Sequence, residues 1–154
     1  MKSATKVTLD EDITLISLLD SPINNASVAE IFRMISDENI DVDMISQTLP
    51  NGSNPSLSFT VSDNDFVKVL SISSKLREKH KDLKIKVISG NCKISIFNEN
   101  MKGTPGIASK VFDALEKTNA NVYMITTSEV DMSVLIGKAQ NEEVLNEIKN
   151  SILS

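Results

Sequence analysis

The 154-residue chain carries 16 Lys and Arg against 21 Asp and Glu, a net charge of −5, and 40% of its residues are apolar. That length suits one medium domain or two small ones sharing a core. The acidic balance, with no basic run, argues against a nucleic-acid or anionic-membrane partner, because such surfaces rest on clustered Lys and Arg. A lone Cys leaves no disulfide within the chain and fits a reducing, cytoplasmic setting, and no segment has the apolar length of a secretory signal or a membrane span.

In chain order, residues 4–9 (ATKVTL) alternate as a short strand, and 13–19 form a second apolar, β-branched run. Val28, Ile31, Phe32 and Ile35 follow at the spacing of one helical face. Residues 40–49 and 57–61 read as two strands, with turn residues Pro50-Asn51-Gly52 between them. Asp63 or Asn64 is placed to cap a helix whose apolar face is Phe66, Val69, Leu70 and Leu76. Leu83, Ile85 and Val87 then alternate as a strand. A second series runs through a strand at 92–98, a helix at 105–117, strands at 121–128 and 130–137, and a helix at 141–153 striped by Val144, Leu145, Ile148 and Ile152.

The two series are copies. With a shift of 80 positions, residues 28–47 (VAEIFRMISDENIDVDMISQ) lie over 108–127 (ASKVFDALEKTNANVYMITT), and Phe32/Phe112, Asn39/Asn119, Val42/Val122, Met44/Met124 and Ile45/Ile125 coincide. A shift of 75 then aligns Ser58 with Ser133 and Val69-Leu70 with Val144-Leu145, as an indel in a surface loop would leave. A period near 80 is a domain repeat, longer than that of a solenoid. Each copy has the order β-α-β-β-α-β, so the expected fold is α+β: two ferredoxin-like units, each a sheet with helices on one face. The second copy stops one strand short, and the strand at 4–9 is expected to complete it. The expected domains are therefore 10–90, and 91–154 plus 1–9.

Enzyme chemistry finds little support. A nucleophilic triad or zinc site would have to use His80, in the charged run KLREKHK (75–81), or Cys92, which reads as an inert buried thiol. The closest approach to a phosphate loop, Gly103 to Gly106, lacks the GxxxxGK[ST] and GxGxxG patterns. No catalytic residue, metal or cofactor is expected. His80 suits a helix C-terminus, and the Met residues suit core packing.

The frames NIDVDMISQ (39–47), MKGTPGIASKVFDAL (101–115) and NVYMITTSEVDMSVLI (121–136) resemble the paired ACT domains at the C-terminal end of aspartate kinases, over residues 7–153. The segment Thr127-Ser128-Glu129, with Pro105-Gly106, is the most specific part of the match. The resemblance implies regulation of aspartate-family amino-acid biosynthesis: such regions bind L-lysine, and in some members L-threonine, pair as a homodimer and restrain an aspartate kinase catalytic domain or subunit. It also implies effector-binding residues: Thr104, Pro105, Gly106, Ile107, Ser128 and Glu129 in the second unit, facing Asp43 from a first unit. Asn25, Ala26, Ser27, Gln47, Asn121 and Val122 make up the equivalent first-unit set.

Physical chemistry agrees with these assignments. An amino acid's carboxylate is served by free N–H groups at a helix start, and its ammonium by an acid such as Asp43 or Glu129. The first unit departs from the family's D-x-P-G-like loop, having Ile23-Asn24-Asn25-Ala26, so a working lysine-type site and a weakened threonine-type site are expected. The alternative is a dimerisation module whose effector site has decayed.

Overall fold

The computed structural model describes residues 4–19, 24–48 and 54–154. The expected turn at Pro50-Asn51-Gly52 and the residue Ile23 lie outside them. The strands are β1 (Lys6–Leu19), β2 (Ile45–Gln47), β3 (Leu57–Ser62), β4 (Lys84–Phe97), β5 (Val122–Thr127) and β6 (Asp131–Gly137). The helices are α1 (Asn25–Asp37), α2 (Phe66–Lys79), α3 (Ile107–Thr118) and α4 (Asn141–Leu153). The chain divides into two compact units, residues 12–89 and residues 1–11 with 90–154.

In the unit of residues 12–89 the strand order is β2-β3-β1-β4, the split βαβ order of a ferredoxin-like sheet. β1 and β3 run antiparallel, from Ile13 opposite Ser62 to Leu18 opposite Leu57. Strand alternation sends Ile16, Leu18, Leu57, Phe59 and Val61 into one core with Ile31 and Ile35 of α1 and Val69, Ile72 and Leu76 of α2. The Phe32 and Phe59 rings meet at 5.3 Å in a tilted pair.

In the other unit the order β5-β6-β4-β1 repeats the pattern, with Cys92 opposite Ile136 and Phe97 opposite Asp131. Ile94, Ile96, Met132, Val134 and Ile136 pack against Val111, Ala114 and Leu115 of α3 and Val144 and Ile148 of α4. Val7 and Leu9 of β1 pack on this same cluster, so the N-terminal strand completes the second unit.

Several expectations are corrected. The separate strands at 4–9 and 13–19 are one strand, β1, and those at 83–87 and 92–98 are one strand, β4. No helix or reversal interrupts either; a single left-handed residue falls inside each, Asp12 at φ 58° and Gly90 at φ 73°, and Asp tolerates that region better than most residues. Among the described residues of the stretch 40–49, Ile45–Gln47 alone are strand; opposite Thr60 the pairing is irregular, with Asp43 N–H donating to Thr60 O, Thr60 N–H to Met44 O, and Met44 N–H to the Thr60 hydroxyl. Neither Asp63 nor Asn64 caps α2. Asp63 instead accepts a 2.6 Å hydrogen bond from Thr14, and the Ser62 hydroxyl accepts from Asn64 N–H to open a 3₁₀ turn before Phe66. The buried face of α2 includes Ile72 and Ser73, while Leu70 is 43% exposed.

Candidate functional site

Two turns of the second unit build a cleft. The first carries residues 101–106 from β4 into α3. Met101 and Thr104 N–H groups donate to Asn98 and Met101 carbonyls, and Thr104 Oγ1 donates to Asn100 O at 2.7 Å. Gly106 then stands at φ 100°, a left-handed position that favours glycine, so α3 begins at Ile107 and Pro105 lies outside the helix that was expected to start with it. No side chain caps α3; its first hydrogen bond is Lys110 N–H to Gly106 O. The second turn joins β5 to β6: Ser128 N–H donates to Asp131 O at 2.8 Å, and the Ser128 hydroxyl oxygen accepts from Val130 and Asp131 N–H.

Met101, Lys102, Thr104, Pro105, Gly106, Ile107, Ala108, Thr127, Ser128, Glu129 and Met132 line a cleft of about 300 Å³ between these turns. That is the small end of ligand-pocket volumes. Its chemistry has two poles. The uncapped start of a 12-residue helix presents N–H groups and the positive end of its dipole, which favour an anion. Ser128 adds a donor, since both its lone pairs accept and its hydrogen remains. The opposite pole is Glu129, whose Oε1 lies 2.6 Å from Lys102 Nζ.

The six second-unit residues Thr104, Pro105, Gly106, Ile107, Ser128 and Glu129 therefore share one cleft. Asn121 and Val122 do not line it: Asn121 precedes β5 and Val122 opens it, about 16–20 Å of extended chain from Thr127. Asp43, Gln47, Asn25, Ala26 and Ser27 belong to the other unit. There Asp43 N–H donates to Thr60 O, and Gln47 ends β2, exposed. At the start of α1, Asn24 Oδ1 accepts from Ser27 N–H at 2.9 Å and from the Ser27 hydroxyl. The protein thus fills the α1 start with its own side chain and leaves the α3 start uncapped. Lys102 is a cleft residue that the sequence did not single out; Met101 and Met132, expected as core fillers, do pack in the core and also line the cleft.

The family model for the ACT domain matches residues 94–152, which contain this cleft. The Thermus thermophilus aspartokinase is 32% identical over 151 residues, covering 96% of this chain and 36% of that protein. The ligand-free regulatory subunit of the T. thermophilus aspartate kinase superposes with a TM-score of 0.88 at 28% identity, over 99% of both chains. A structure of aspartokinase alpha and beta subunits gives a TM-score of 0.86 at 29% identity, covering 96% of this chain and 97% of that one. The chain is a tandem ACT-domain regulatory region of the aspartate kinase family.

This ACT region spans about a third of the length of the curated aspartokinases it matches. The T. thermophilus regulatory subunit is matched end to end, and the 154 residues are regulatory rather than catalytic. Among the described residues no cluster of three His, Cys, Asp or Glu side chains could hold a metal, and no helix is long and apolar enough to cross a membrane.

Proposed function

We propose that this ACT region is an amino-acid sensor: the cleft between the 101–106 and 127–131 turns binds an α-amino acid, L-lysine in preference to L-threonine. Its occupancy then controls an aspartate kinase catalytic domain or subunit as feedback in aspartate-family biosynthesis. The contrast between the two helix starts carries this reading. The amides of α3 are uncapped beside Glu129, whereas Asn24 caps the equivalent start of α1. The ligand's carboxylate lies on the α3 amides and the Ser128 hydroxyl, and its ammonium is taken by Glu129. Asn25, Ala26, Ser27, Gln47, Asn121 and Val122 are the residues of the weaker, threonine-type set, and Asp43 is assigned as a second acid for the ammonium of the lysine-type ligand. Regulation requires that the ligand bind one arrangement of the assembly, a homodimer in this proposal, better than another.

Calorimetric titration of the chain with each amino acid tests the proposal. Saturable heat with L-lysine, and weaker or no heat with L-threonine, is the expected result. Micromolar threonine binding with no response to lysine would reverse the assignment of the effector, and silence from both would favour a dimerisation module without a ligand.

A further inference from the structure

The cleft already holds an ammonium group, the protein's own. Lys102 Nζ sits 2.6 Å from Glu129 Oε1, the carboxylate assigned above to the ligand's ammonium. Both side chains are 70% exposed. Gly103, the next residue, is in a left-handed turn at φ 82° with open space around its Cα. The carboxylate pole of the cleft has donors without Lys102, in the α3 amides and the Ser128 hydroxyl.

We propose that Lys102 is a tethered competitor for the effector's ammonium group and so sets the cleft's affinity. It occupies Glu129 Oε1 and offsets the charge of that carboxylate, so an incoming ammonium competes with Lys102 for it. The inference rests on the effector reading of the cleft and adds the residue that tunes it. Apparent affinity falls in proportion to the fraction of molecules in which the binding group is available. An exposed ion pair is worth up to about fivefold in such an equilibrium, and salt weakens it. The competitor role and the ordinary role of a cleft lysine, binding the ligand's carboxylate, predict opposite signs on removal.

The experiment is calorimetric titration of L-lysine and L-threonine into the wild-type chain and into Lys102→Met, at low and high sodium chloride. Methionine keeps a long flexible stem and removes the charge. The expected result is roughly two- to fivefold tighter binding of L-lysine by Lys102→Met, with the gain shrinking as salt rises. Equal or weaker binding by Lys102→Met, with the wild type binding normally, overturns the competitor role and leaves the effector reading intact. No binding of either amino acid by either protein overturns both.

Discussion

Asn39 and Asn119 hold the same left-handed backbone, φ 56° and φ 51°, just past the last turns of α1 and α3. Each closes its helix in the same way: Asn39 N–H donates to Ser36 O and Ile40 N–H to Ile35 O, while Asn119 N–H donates to Glu116 O and Ala120 N–H to Leu115 O. Asparagine tolerates this conformation where most residues pay a steric penalty. That constraint accounts for one of the identities between the two copies.

Replacing Asn119 with Ala is expected to destabilise the chain by about 1 kcal/mol, and Asn119→Gly to be close to neutral, because only the former adds strain at positive φ. Asn39 should behave alike. Urea unfolding of the four variants checks this. Equal losses for Ala and Gly would locate the effect in the side chain rather than the backbone.

Ile94 is fully buried at the centre of the second unit's sheet. Ile94→Val should cost roughly 0.5–1.5 kcal/mol and Ile94→Ala roughly 2–5 kcal/mol, the second including the cavity left behind. Denaturant midpoints measured at constant m-value separate a true stability loss from a change in the unfolded state.

Gly106→Ala isolates backbone strain at the cleft. A Cβ there would meet nothing within 4 Å, yet φ 100° is a conformation that alanine resists. The variant should fold, lose about 1–2 kcal/mol of stability, and bind L-lysine more weakly as the first amides of α3 reorient. Unaltered affinity would remove the α3 amides from the site.

Charge at the surface gives a pH signature. Hydrogen bonding from Lys79 holds the Glu30 carboxyl below its ordinary 4.5, against the opposing effect of burial; the Lys79 and His80 charges lower it further. A depressed carboxylate stabilises the fold above its unfolded pKa, and the contribution is lost as pH falls through the lower folded value. Wild type and Glu30→Gln should therefore differ near neutrality and converge in acid, once pH has fallen through the lowered folded value. The mirror case is Lys117, raised above 10.5 by its hydrogen bond to Glu147, with the Glu147 charge adding to it. Its contribution is present below the unfolded pKa and is lost only as pH climbs through the raised value. Melting temperatures across pH 3–11 test both signs.

Much of this fold is legible in one dimension because its elements are amphipathic. The stripe Val144, Leu145, Ile148 and Ile152 marks α4, and alternation in Leu57, Phe59 and Val61 marks β3. Periodicity is blind where one residue's backbone decides the boundary, as at Gly106, where a left-handed φ starts α3 after Pro105 rather than at it. It is equally blind where a distant side chain intervenes, as when Thr60 takes the Met44 N–H or Thr14 engages Asp63. At the site, the motifs that mark Thr104–Ile107 and Ser128-Glu129 are local, and the fold brings them to one cleft. The Lys102–Glu129 pair is 27 residues apart in sequence and leaves no periodic trace.

The effector claim is tested most directly by the melting temperature of the chain with L-lysine at about 100 times its dissociation constant. Selective binding to the folded state at that excess adds about 2.7 kcal/mol, or roughly 5–10 °C for a protein of this size. A rise of that order with L-lysine, larger than with L-threonine and absent in Glu129→Gln, is the predicted result. A melting temperature that none of the twenty amino acids moves would contradict the account.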